Sequence, residues 1–173
     1  KRVLDMSTVM AAPYAAAMLG DAGADVIKIE NPRVADALRT WGTLRELGIE
    51  PYHSVVGRNK FPVTINLKAD EGKEIFVELI KQSDVLIENT RLGAMDRLGL
   101  SHDYLMEINP GLIVGKVSGY GMTGPKAEQP GFGTLTGGHR RVQTVHMIRY
   151  DLPYDTIRWS VWQEWSVRQV MPV

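Results

Sequence analysis

The chain has 173 residues, 44% of them hydrophobic, with 20 basic side chains against 20 acidic ones and no cysteine. That length can bury a real core as one soluble globular domain, zero net charge gives no electrostatic footprint for nucleic acid, and the missing thiols exclude disulfides, thiolate catalysis and cysteine-held metal sites. No apolar run approaches the roughly 20 residues that cross a bilayer and the first residues lack signal-peptide character, so the expectation is a cytoplasmic protein with no membrane partner.

Val3-Leu4 with Met6 is a short apolar run of strand type. A helix is predicted over residues 13–19, with Pro13 near its first turn, and Gly20 and Gly23 read as the turn that ends it. Val26-Ile27 with Ile29 follows as a second strand and Val63-Thr64-Ile65 as a third. From Asp70 to Gln82, Ile75, Phe76, Leu79 and Ile80 share one helical face, and Val85-Leu86-Ile87 supplies a fourth strand. Ser101 is a good N-cap and Pro110 a stop, which predicts a short helix over 101–108 before a fifth strand at Leu112-Ile113-Val114. Such alternation predicts an α/β, Rossmann-like, doubly wound and mainly parallel sheet. Ligands in such sheets lie at the carboxyl ends of the strands, which draws attention to the loop Gly119-Tyr120-Gly121-Met122-Thr123-Gly124-Pro125 directly after the fifth strand.

Familiar catalytic signatures are missing. Between the first strand and helix stands Thr8-Val9-Met10-Ala11-Ala12-Pro13 rather than Gly-x-Gly-x-x-Gly, so an ordinary NAD enzyme is not expected. Ala11 and Ala12 are small enough to let backbone N–H groups approach a ligand at a helix start. His53, His102, His139 and His146 show no metal spacing and read as surface or capping residues, and no metal is expected. There is neither a Gly-x-Ser-x-Gly elbow nor a Walker lysine motif. Arg58-Asn59-Lys60 and Lys68 read either as solvated charges at element ends or as phosphate contacts.

From Arg2 to about Leu135 the sequence carries a specific succession: Arg2-Val3-Leu4-Asp5, then Gly23-Ala24-Asp25-Val26-Ile27-Lys28-Ile29-Glu30, Asn59-Lys60, Gly72-Lys73 and Asp84-Val85-Leu86-Ile87-Glu88-Asn89. Asp96-Arg97-Leu98-Gly99, Ile108-Asn109-Pro110, Ser118-Gly119-Tyr120-Gly121 and Pro130-Gly131-Phe132 continue it. This order resembles the family III CoA-transferases, the CaiB/BaiF group that includes formyl-CoA transferases and acyl-CoA racemases. Members are longer and form interlocked homodimers, so the resemblance implies the N-terminal part of a larger fold, with residues 1–135 a partial CoA-binding domain. It implies that Val9, Met10 and Ala11 line a coenzyme A site, that Arg39 contacts CoA, and that Ile65, Asn66, Leu67 and Lys68 flank its nucleotide. Asn89, Thr90 and Arg97 match further CoA-site motifs. Guanidinium groups suit a phosphorylated nucleotide because they form bidentate charge-assisted bonds. Two departures are Ala12, where a glycine is usual, which restricts backbone approach, and Thr90, where an aromatic is usual, which weakens ligand contact.

The resemblance implies CoA transfer between carboxylic acids, with acyl-CoA and acid as substrates and an aspartate as nucleophile. Phe132 stands where racemases carry a histidine, which disfavours an α-methylacyl-CoA racemase. The nucleophile belongs to a later Gly-Asp-Ser motif. Asp151 and Asp155 lack those glycines, so no catalytic residue is assigned and the chain is expected to be inactive alone. A noncatalytic CoA-binding or interaction module is the alternative. Residues 136–173 contain no alanine or lysine but hold Trp159, Trp162 and Trp165, and no helical or strand period organises them. That tail reads as a partner-covered arm or as frameshifted, non-native family sequence. One nucleotide out of register, permitted codons for Gly137 to Val142 can spell Glu-Ala-Ile-Gly-Gly-Phe, close to a family motif.

Overall fold

The computed structural model describes residues 1–42, 47 and 50–131, together with the backbone of Thr144–Ile148. Its strands are β1 (Arg2–Asp5), β2 (Asp25–Glu30), β3 (Lys60–Thr64), β4 (Val85–Glu88), β5 (Ile113–Ser118) and β6 (Thr144–Ile148). They form one sheet in the order β3-β2-β1-β4-β5-β6. The first five are parallel, while β6 runs antiparallel to β5 and was not expected from the sequence, whose tail has no strand period. The chain thus starts in the middle of the sheet, winds outward through β2 and β3, returns, and continues through β4 and β5. That reversal creates a topological switch point between β1 and β4, the place where open α/β sheets bind ligands.

Helices cover both faces. α1 (Ala11–Asp21) buries Ala12, Ala16 and Ala17, and Ala12 and Ala16 pack against Val3, Val26, Ile87 and Val117. The opposite face packs Leu4, Leu86 and Val114 against Phe76 and Ile80 of α3 (Asp70–Lys81) and Leu105 and Met106 of α5 (His102–Ile108). Near-continuous apolar runs in the central strands follow from this two-sided burial. α2 (Pro51–Gly57) starts with Pro51 in its first turn and went unpredicted, as did the one-turn α4 (Ala94–Arg97) and a 3₁₀ turn at Ala37–Thr40.

Several motif residues have clear structural work. Gly23 (φ 89°) ends α1: its N–H reaches Gly20 O at 2.9 Å and that of Ala24 reaches Leu19 O at 3.0 Å, a Schellman closure that needs a left-handed residue. Gly20 lies within α1 rather than in the turn, and a Cβ there would come within 3.0 Å of Asn59 O. At Gly72 a Cβ would lie 2.1 Å from Asn66 O, so glycine is required where α3 starts against the preceding turn. Asp84 accepts from Arg2 N at 2.7 Å and pairs with Lys1 Nζ at 2.7 Å, which fixes the start of β1. Asn109 donates to Ile80 O and Ser83 O, each at 2.8 Å, and ties the end of α5 to the end of α3. Ser101 caps α5 as expected, its hydroxyl accepting from Tyr104 N at 3.2 Å. Pro62 sits in β3, an edge strand where a missing N–H is tolerated.

Candidate functional site

At the carboxyl ends of β1, β4 and β5 opens a cavity of about 790 Å³. Its walls come from the β1–α1 turn, the residues following β4, the end of β5 and the glycine-containing loop after it. It spans the switch point, which is bridged by a reciprocal pair of bonds. Thr8 N donates to Asn89 Oδ1 at 2.9 Å, and Asn89 Nδ2 donates to Thr8 O at 2.8 Å. One amide side chain therefore holds the two rims at a set separation.

The β1–α1 turn carries an unusual backbone. Val9 has φ of 65°, a region uncommon for any side-chain-bearing residue and an outlier for a β-branched one. Its N–H points to both oxygens of the Asp36 carboxylate, at 3.2 and 3.1 Å. α1 then starts without a side-chain cap or an acidic residue in its first turn. Pro13 has no N–H to offer and Tyr14 N already bonds Met10 O at 2.8 Å. The Ala11 N–H is an orphan donor of this helix start on the cavity wall, whereas Ala12 is fully buried, and the positive end of the helix dipole favours an anion there. The side chain of Ala12 is buried in the α1 face of the core, so it does not restrict approach to the cavity.

Beyond β4, Glu88 is fully buried and anchors the opposite rim. Its carboxylate accepts from Thr90 N at 2.6 Å and Thr90 Oγ1 at 2.7 Å and pairs with Lys116 Nζ, which also donates to Thr90 O at 3.0 Å. His102 Nε2 lies 3.3 Å from Glu88 Oε1, within ion-pair reach but off the line of a hydrogen bond. Burial pushes the Glu88 carboxyl up, but the close approach of the His102 ring, the Lys116 ammonium and the Thr90 hydroxyl outweigh it, and the group lies below the usual glutamate range. Thr90, the departure from an aromatic, thus lines the cavity while its hydroxyl is engaged inward. On the far wall Ser118 Oγ accepts from Gly121 N at 3.1 Å and Gly121 has φ of 88°, which shapes the loop expected after the fifth strand.

The cavity brings together Val9, Met10, Ala11, Asn89 and Thr90. It does not include the other residues singled out from the sequence. Arg39 lies across β2, where Nη2 and Nε bind Glu30 at 2.9 and 3.2 Å and Nη1 binds Glu50 at 3.3 Å. Burial raises the Glu30 carboxyl, yet Arg39 holds it below its ordinary value. Ile65 is a core residue, Leu67 packs against the same cluster, and Asn66 caps the turn into α3 by accepting from Lys68 N at 3.2 Å and Ala69 N at 3.0 Å. Lys68 and Arg97 are exposed.

Two expectations about charge are corrected. Lys60 is not a solvated cation: its side chain is 1% exposed and its ammonium binds Asp5 Oδ2 at 2.7 Å and Pro13 O at 2.6 Å. Desolvation lowers its pKa against the pull of Asp5. Lys28 is also buried, bonded to Ser7 O and 3.6 Å from Asp5, so two lysines share one carboxylate beneath the β1–α1 turn. His53 and His102 are partly buried beside glutamates rather than at the surface. His139, His146, Phe132, Asp151 and Asp155 lie outside the residues whose side chains are described.

Sequence reasoning missed Thr8, Arg91 and Lys116, all of which line the cavity. Arg91 is exposed and, among the described residues, its guanidinium has no hydrogen-bond or ion-pair partner. Its position one residue past Asn89-Thr90, at the carboxyl end of a central strand, was the available signal. Among the described residues no cluster of metal-ligating side chains occurs, and no helix is long and apolar enough to cross a membrane.

A doubly wound sheet whose parallel strands run in the order 3-2-1-4-5, with a cavity at its switch point and an uncapped helix start on the cavity wall, defines an α/β domain of Rossmann-like type. The chain belongs to CoA-transferase family III, whose model matches residues 1–141. It is 48% identical over 134 residues to the succinyl-CoA–L-malate CoA-transferase beta subunit of Chloroflexus aurantiacus, a match covering 78% of this chain and 33% of that protein. It is 42% identical to the acetyl-CoA:oxalate CoA-transferase of Acetobacter aceti, covering 77% of this chain and 34% of that one. The crystal structure of a CaiB/BaiF family protein from Brucella suis superimposes with a TM-score of 0.72 at 35% identity, covering 80% of this chain and 37% of that one. The chain therefore spans about a third of the length of these curated relatives.

Proposed function

We propose that the switch-point cavity binds coenzyme A and that the chain is the CoA-binding part of an enzyme that moves CoA between carboxylic acids. The observation that carries this reading is the orphan N–H of Ala11 at an uncapped helix start, with Arg91 on the wall of the same cavity of about 790 Å³. Backbone donors and a guanidinium are the groups that recognise phosphate oxygens, and the cavity volume is in the range of cofactor sites. Arg39, Lys68 and Arg97 belong to the same proposal as outer contacts to the phosphorylated nucleotide. Arg39 would reach it with the two of its five N–H donors not engaged by Glu30 and Glu50.

The transfer step needs a carboxylate that attacks the thioester carbonyl and expels the CoA thiolate, giving a mixed anhydride. The thiolate then attacks the enzyme carbonyl, releases the first acid and leaves CoA as an enzyme thioester. The second acid repeats the exchange in reverse order. Asp5, Asp36 and Glu88 are all buried in structural bonds, and Glu128, which lines the cavity, stands between Ala127 and Gln129 without the glycine and serine that the resemblance places around an aspartate nucleophile, so none is assigned that role. This chain is accordingly proposed to bind CoA without turning it over, and to need further sequence and a second copy for activity. Calorimetric titration of CoA into the purified chain tests the reading. Saturable binding that weakens with dephospho-CoA and with salt is expected, and absence of binding by a folded chain removes the proposal. Transfer of CoA between acids by the isolated chain would remove the claim of inactivity.

A further inference from the structure

Val9 lines the cavity in a left-handed conformation that a β-branched side chain disfavours, so something outside the turn must hold it there. The Asp36 carboxylate meets that requirement. It is 4% exposed, both its oxygens face Val9 N, and Oδ1 also accepts from Leu38 N at 3.0 Å. A single buried group therefore joins the cavity turn to the 3₁₀ turn at Ala37–Thr40 that carries Arg39. The φ of Val9 sets the direction in which the chain enters α1, and with it the aim of the Ala11 N–H on the cavity wall.

We propose that Asp36 is a positioning residue for CoA. It touches no ligand, but it holds Val9 in the left-handed region and so aims the helix-start donor into the cavity. The inference rests on the reading of the cavity as a CoA site. A carboxylate that served only as the cap of the 37–40 turn would act through Leu38 N, and Val9 would be indifferent to it. The two roles part at one substitution, because glycine occupies positive φ without outside support.

Four chains of 173 residues decide the matter: wild type, Asp36→Ala, Val9→Gly and the double variant, each titrated with CoA and each followed by amide hydrogen exchange. Charge-assisted hydrogen bonds are individually strong, so Asp36→Ala in the Val9 background is expected to weaken CoA binding about tenfold or more. In the Val9→Gly background the same change is expected to cost less than about threefold, a coupling of the kind seen between residues in contact. Equal losses in the two backgrounds, or no loss in the Val9 background, overturn the proposal. Should Asp36→Ala fail to fold, Asp36→Asn keeps one acceptor oxygen for Leu38 N and is read in both backgrounds by the same criterion. If the folded wild type takes up no CoA, the function proposed above fails. The Asp36 support of Val9 is then judged from exchange alone: the Val9 amide must exchange faster in Asp36→Ala, and unchanged exchange refutes it.

Discussion

The two rims of this sheet treat several of their cations differently. Around β2 and β3 three of them are paired with carboxylates of the fold: Lys28 and Lys60 share Asp5, and Arg39 is held between Glu30 and Glu50. Around β4 and β5 the buried pair of Glu88 with Lys116 lies beneath the rim, while Arg91 is left open on the cavity wall. A basic residue in a nucleotide-binding fold is thus not a phosphate contact by virtue of its type. What separates a structural cation from a ligand contact is whether the fold already supplies its counter-charge.

The largest expected effect tests the buried pair. Lys116→Met removes the ammonium from a glutamate with no exposed surface and leaves that buried charge only the Thr90 donors and the nearby His102 ring, expected to cost about 3 kcal/mol in denaturant unfolding. Adding Glu88→Gln removes that charge and is expected to restore most of the loss, because a neutral pair no longer carries the desolvation penalty. Lys60→Met is expected to cost less than Lys116→Met, since Asp5 keeps Lys28 at 3.6 Å and the Ser7 N–H at 3.0 Å. Equal costs for the two lysines would show that the shared carboxylate gives no protection.

The two arginines give the next contrast. Arg91→Ala is expected to weaken CoA binding about tenfold, the loss of one charge-assisted contact, with unfolding unchanged. Arg39→Ala is expected to lower stability by about 1 kcal/mol, as for a partly exposed ion pair, with the smaller effect on CoA. A reversed outcome, in which Arg39 dominates affinity, would mean that Glu30 and Glu50 orient its remaining donors toward the ligand rather than neutralise it.

Local pattern made the central strands, α1, α3 and α5 legible in advance. Their signals are short-range: apolar runs buried on both faces, a one-sided helical stripe, Ser101 before α5, and Gly23 after α1. Val9 to Ala11, Asn89 and Thr90 were named through the family resemblance, and they line the cavity because they follow the carboxyl ends of β1 and β4. The charge pairing was not legible, since Lys60 finds Asp5 across 55 positions and Lys116 finds Glu88 across 28. No window of local sequence carries such a partner. α2 was missed despite Pro51 at its first turn because its seven residues show no full apolar stripe, Val56 alone being buried.

The smallest effect is in acid. Because the folded Glu88 carboxyl lies below its ordinary value, the folded state binds this proton less readily than the unfolded chain does. The stabilisation it gives is complete above the unfolded glutamate value and is lost as pH falls through the depressed folded one. Glu30, held down by Arg39, acts with the same sign on the other rim. The two differ in what burial does: Glu88 is fully enclosed, whereas the Glu30 side chain is 10% exposed and its arginine 31%. Unfolding profiles of wild type and of the Glu88→Gln/Lys116→Met variant should therefore converge as the medium is acidified and separate again toward neutral pH. Added salt should narrow the corresponding gap for Arg39→Ala but leave that for the buried pair nearly unchanged, because screening acts on partly exposed charges. Equal salt sensitivity at both rims would mean that solvent reaches Glu88.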